Sequence, residues 1–144
     1  MSTVNQILKG KGRQVWSVLP ETSVYDALKI MAEKDVGALI VLAKEKIVGI
    51  FSERDYARKG ILHGKHSDTT QVRELMSTTV YTVGPSQMIE ECMNLMTDKR
   101  IRHLPVLEEG RLVGLISIGD AVNSLITEQK ASIQHLENYI CGGR

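Results

Sequence analysis

Apolar and polar residues follow two different periods along this chain, and the same succession of periods occurs twice. A short apolar segment, Val15 to Val18, stops at Pro20, and a 3.6-residue period then runs through Val24, Ala27, Leu28 and Met31. That period predicts an amphipathic helix with one buried face. Two apolar runs follow, Ala38-Leu39-Ile40-Val41-Leu42 and Ile47-Val48-Gly49-Ile50-Phe51, separated by a charged turn. Short apolar runs flanking a tight turn predict paired strands. The second succession is Val80 to Val83, Pro85, then Ile89, Cys92, Met93 and Met96, then Leu104-Pro105-Val106-Leu107 and Leu112-Val113-Gly114-Leu115-Ile116. Each ends in Ser-x-x-Asp (Ser52 to Asp55; Ser117 to Asp120), the spacing of a capping box that opens a further helix.

The two successions align without a gap at an offset of 65 residues, from Val15–Arg58 onto Val80–Asn123. Identities include Pro20/Pro85, Met31/Met96, Leu39/Leu104, Val41/Val106, Gly49/Gly114, Ser52/Ser117 and Asp55/Asp120. Ungapped self-similarity over such a span is the mark of a duplicated structural unit. The fold class is therefore α/β, built from two β-α-β-β-α repeats with small mixed sheets and packed helices. Lead-in segments precede both copies, Val4–Leu8 and Val72–Met76, and match each other after a three-residue gap. The domain reading is a first repeat with its lead-in over 1–62, a polar linker over 63–71, a second repeat over 72–126, and a C-terminal amphipathic helix and tail over 127–144. In that last segment Ile126, Ile133, Leu136 and Ile140 share one helix face, with Cys141-Gly142-Gly143 suited to end it. The stripe either covers the pair of repeats or joins another subunit, which predicts a homodimer.

With 144 residues, each half is too small to bury an adequate core alone, so the halves are expected to depend on each other. Lys and Arg number 18 against 17 Asp and Glu, and this balance gives no footprint for nucleic acid or an anionic membrane as partner. No apolar run reaches the roughly 18 residues of a membrane span, and the polar start lacks a signal-peptide core. Cys92 and Cys141 have neither disulfide-framework nor zinc spacing, which fits a reducing cytoplasm. His63 and His66 sit in a polar stretch with no placed carboxylate or thiol, so they predict loop and no metal site. Nothing has the spacing of a nucleophile with its base, or of a phosphate-binding glycine loop, and no enzyme activity or catalytic cofactor is expected.

The duplicated Val-Gly-Ile-Phe-Ser-Glu-Arg-Asp and Val-Gly-Leu-Ile-Ser-Ile-Gly-Asp segments, with Arg100-Ile101-Arg102-His103-Leu104-Pro105-Val106, resemble the cystathionine beta-synthase domain, which occurs as tandem pairs. The resemblance covers nearly the whole chain. It implies two units related by a pseudo-twofold axis with two clefts between them, often stacked as dimers. It also implies a regulatory role, sensing an adenosine-containing ligand: AMP, ADP, ATP, an NAD-type molecule or S-adenosylmethionine. In the family the Asp of Ser-x-x-Asp holds the ribose diol, and a carboxylate is suited to that because it accepts from two vicinal hydroxyls. Carried onto this chain, one site would use Asp120, Ser117, Leu115 and His103, with Thr22, Ala27, Val36 and Gly37 around the base and Arg54 and Arg58 at the phosphate. The other would use Asp55, Ser52 and Ile50 with Gln87, Cys92, Ile101 and Arg102. There Gly119 and Asn123 stand where Arg54 and Arg58 stand in the first copy, so the Asp120 site is expected to bind phosphate better.

Each functional reading has a plainer competitor. Asp55 and Asp120 serve helix starts without any ligand if they act only within the capping box. Arg54 and Arg58, one turn apart, also fit a solvated helix face, and His103 fits a strand edge. The rival to a ligand sensor is a structural or partner-binding dimer with empty clefts.

Overall fold

The computed structural model describes residues 2–142, which divide into two compact units. One is Val15–Tyr81; the other joins the chain start, up to Gln14, to the stretch from Thr82 onward.

In the Val15–Tyr81 unit, β1 (Ser17–Val18) pairs parallel with β2 (Ala38–Ala43), and β2 pairs antiparallel with β3 (Lys46–Ser52). Between β1 and β2 runs α2 (Val24–Lys34), capped by the Ser23 hydroxyl, which accepts from the Asp26 N–H at 3.0 Å. The 3.6-residue stripe does what it predicts: Val24, Ala27 and Met31 are buried with Val18, Leu39, Val41 and Phe51 in one core. After β3 the helix is brief. Helix α3 (Glu53–Asp55) gives way to a π-helical turn over Tyr56–Gly60 and a 3-10 turn over Ile61–His63. Gly60 is buried against Leu75 and Tyr56, where a Cβ would meet both at 3.0 Å, so the wider turn brings the backbone close to these side chains. The second copy has Leu125 at that position and continues as helix.

The other unit holds α1 (Val4–Lys11), α5 (Ile89–Lys99), the hairpin of β4 (His103–Glu108) and β5 (Arg111–Ser117), and the long α6 (Ile118–Gly142). The strand expected over Val80–Val83 shrinks to a single parallel bridge, Val83 to Val106. Pro105 explains the loss. In the first copy the Ile40 N–H donates to the Trp16 carbonyl and extends the ladder, whereas the matching residue, Pro105, has no N–H to donate. Helix α6 runs unbroken across residues 126 and 127, so the end of the second repeat and the C-terminal segment are one continuous helix. The glycine stop expected at Gly143 lies outside the described residues.

The largest departure concerns the lead-in segments, which the sequence reading grouped with the copies they precede. Helix α1 belongs instead to the unit of the second copy, and α4 (Val72–Leu75) to the unit of the first. The matched residues Leu8 and Met76 each lie over the glycine of the Val-Gly strand. A Cβ on Gly114 would come within 2.6 Å of a Leu8 methyl, and one on Gly49 within 2.7 Å of the Met76 sulfur. Backbone bonds fix both placements: Val4 and Asn5 N–H groups donate to the Gln87 and Pro85 carbonyls, and Val72 and Arg73 N–H groups to those of Thr22 and Pro20. The glycines of the repeated Val-Gly pairs are thus close-approach residues for a crossed-over segment.

Candidate functional site

Two acidic boxes occupy matched positions at the ends of β3 and β5. The Asp120 N–H donates to the Ser117 hydroxyl at 3.1 Å, and the Ser117 N–H donates back to Asp120 Oδ2 at 2.9 Å. Ser52 and Asp55 repeat the exchange at 3.2 and 2.9 Å. Both carboxylates are therefore held in place at the start of a helix by reciprocal hydrogen bonds. The capping role read from the spacing is met at both boxes.

Each carboxylate also faces one lysine, and the two lysines arrive by unrelated routes. Lys11, at the end of α1, places its ammonium 2.6 Å from Asp120 Oδ2 and donates to the Leu115 carbonyl at 3.0 Å. Lys59, one turn beyond Asp55 on its own segment, lies 3.1 Å from Asp55 Oδ1. The second copy has Ser124 where the first has Lys59. Neither lysine was singled out from the sequence. Lys59 carried an i,i+4 signal to Asp55, whereas Lys11 is 109 residues from Asp120 and had no pattern to reveal it.

Asp120 and Lys11 also line one end of a cavity of about 570 Å³ between α1 and α6, with Gln6 and Asn123 along it and Ser2 and Glu128 hydrogen-bonded at the far end. A carboxylate, an ammonium, amides and hydroxyls lining the space between the two helices can exchange hydrogen bonds with a polyhydroxylated group.

The remaining sequence-predicted residues divide between the units. Leu115 is half-buried on β5, and half-buried His103 is paired in register with Ser117. Ile101 is half-buried and Arg102 exposed; the Arg102 carbonyl accepts the Ile118 N–H at 2.8 Å. In the Val15–Tyr81 unit, Ile50 exchanges both backbone bonds with Ser77, at 3.0 and 2.8 Å. The Thr22 hydroxyl accepts the Leu19 N–H at 3.1 Å, and the Gly37 carbonyl accepts the Glu53 N–H at 3.1 Å. Val36 is half-buried against the core, Arg54 is half-buried and Arg58 exposed. Ala27 does not fit its expected role: it is fully buried with Val24 and Met31, so its methyl is scaffold with no surface for a ligand. Its matched residue, Cys92, is equally buried, and desolvation pushes that thiol up to about 11. Among the described residues no three of His, Cys, Asp or Glu gather to hold a metal ion.

Comparison with known proteins bears on the duplication directly. A family model for the CBS domain matches twice, over residues 12–61 and 72–127. The chain is 38% identical to the mitochondrial CBS domain-containing protein CBSX3 of Arabidopsis thaliana over 99% of its own length and 73% of that protein's. It is 32% identical to the CBS domain-containing protein YhcV of Bacillus subtilis, covering 83% of this chain and 85% of that one. A solved structure of a protein with CBS domains from Burkholderia ambifaria superposes with a TM-score of 0.86 at 53% identity, over 89% of this chain and 96% of the other.

Proposed function

We propose a function from one premise: the chain belongs to the CBS domain family, as a tandem pair of CBS repeats. Such pairs are generally regulatory modules that bind adenosine-containing ligands, and no helix among the described residues is long and apolar enough to cross a membrane. In our reading this chain is a regulatory module, not an enzyme, that senses an adenine nucleotide or dinucleotide in a reducing compartment such as the cytoplasm. The ribose diol would be held by Asp120, with Ser117, Leu115 and His103 beside it. Arg54 and Arg58 would serve the phosphate, and Asp55, Ser52, Ile50, Ile101 and Arg102 a second, less phosphate-selective site. The carrying observation is the Asp120 carboxylate at the start of α6, held by its own box and reached by a lysine from α1.

One observation favours the plainer alternative of a ligand-free structural module. Lys11 already partners Asp120, so the carboxylate is satisfied without a diol. A thermal-shift screen of AMP, ADP, ATP, NAD, NADH and S-adenosylmethionine separates the two. A ligand present at 100 times its dissociation constant adds about 2.7 kcal/mol to the unfolding free energy. A shift with at least one of the six supports the sensor; no shift with any of them favours the structural module.

A further inference from the structure

Every residue of α6 from Gln129 to Ile140 is exposed. Helix positions Val122, Ile126, Gln129, Ile133, Leu136 and Ile140 succeed one another at alternating spacings of four and three. This is a heptad seam, with isoleucine at each a position (126, 133, 140) and Val122, Gln129 and Leu136 at d. Its apolar members are 38, 43, 56, 58 and 78% exposed in chain order. The face that α6 buries within its own unit is a different one, carrying Ala121 and half-buried Leu125. A narrow stripe restricted to a and d and exposed along its length is the kind of seam a second helix covers.

We propose that α6 pairs with α6 of a second copy of this chain as a parallel two-stranded coiled coil along Val122–Ile140. Isoleucine at all three a positions, with leucine at one d position (Leu136), fits two parallel strands. Gln129 points the same way. In a parallel pair each d residue meets its own twin, so Gln129 bonds to Gln129 of the partner subunit; in the opposite orientation a meets d, and the amide would face an isoleucine. A pair of Lys130 and Glu137, which only the opposite orientation would bring together, is exposed and contributes little. At roughly 28 Å the seam is shorter than three heptads, too short to persist in an isolated peptide. Here its first turns are nucleated by packing on α5, β5 and α1. So small an interface points to a dissociation constant in roughly the micromolar range.

Sedimentation equilibrium on the whole protein at tens of micromolar, without nucleotide, tests the pairing apart from the ligand reading. Wild type should be dimeric. Ile133→Asp and Leu136→Asp, both at exposed positions, should keep their circular dichroism and weaken the dimer at least about tenfold. For orientation, Ile133→Cys in a Cys141→Ser background, oxidised with glutathione, should give a reducible covalent dimer because a faces a. A monomeric wild type, or a dimer indifferent to both aspartates, would overturn the seam. A dimer in which Cys at 133 fails to cross-link would overturn the parallel pairing.

Discussion

Replacing Gly114 with alanine is the sharpest probe of the crossed lead-in helix. The added methyl would lie 2.6 and 2.8 Å from the two Leu8 methyl carbons, about 1 Å inside ordinary carbon contact. Two responses compete. If α1 stays seated, the cost is that of overpacking, about 1–3 kcal/mol. If it lifts off, buried Val4 and Leu8 both lose their burial, about 1.5–3 kcal/mol each. The strained but seated helix is therefore favoured, and urea unfolding should show a loss of about 1–3 kcal/mol with an unchanged m-value. Leu8→Ala alone should cost about 2–5 kcal/mol, and Gly114→Ala should partly fill the hole it leaves. The double variant should then be more stable than the sum of the singles by at least about 1 kcal/mol. A Gly114→Ala protein as stable as wild type, or strict additivity, would refute the crossed packing. Gly49→Ala should be worse, because its methyl would also lie 2.8 Å from the Ser77 carbonyl, which is pinned by the Ile50 N–H at 3.0 Å.

Two further expectations need only the folded protein. In the β2–β3 turn, Lys44 and Glu45 both have positive φ, 52° and 66°, while the matching turn of the second copy uses Glu109 and Gly110. Glu45→Gly should raise stability by up to about 1 kcal/mol in the same urea assay, and a loss would show that the side chain contributes more than the strain removes. The Cys92 thiol, raised from 9.0 to about 11 by burial, contributes stability that is complete below pH 9 and is lost as the pH rises toward 11. Unfolding free energies of wild type should fall more steeply over that window than those of Cys92→Ala, by up to about 1.4 kcal/mol per pH unit, and parallel curves would contradict it.

Much of the fold was legible because each copy was read twice. A stripe such as Val24, Ala27 and Met31 predicts a helix, and the same stripe 65 residues later removes most of the ambiguity of a short apolar run. The misses have local physical causes. Pro105 silences one ladder bond and reduces a predicted strand to a bridge, and Gly60 seats a π turn where the other copy has helix. The crossing of α1 and α4 was hidden because contacts between Leu8 and Gly114 leave no period in the sequence; only the unexplained repetition of Val-Gly signalled a close approach. At the site, the Ser-x-x-Asp boxes were readable from spacing alone, since the bonds that make them span three residues. Lys11 was not, because its bond to Asp120 depends on that same crossing.

Titration of AMP into the wild type and into Asp120→Asn by calorimetry tests the nucleotide reading most directly. Asn retains an acceptor for the Ser117 N–H but loses the partly exposed pair with Lys11, so the unliganded variant should be only about 0.2–1 kcal/mol less stable. The diol loses a bond to a charged acceptor, about 1.5–3 kcal/mol, so affinity should fall about ten- to hundredfold. Wild-type affinity in a folded Asp120→Asn protein, or no heat of binding to wild type from AMP or any other adenine ligand, would contradict the account.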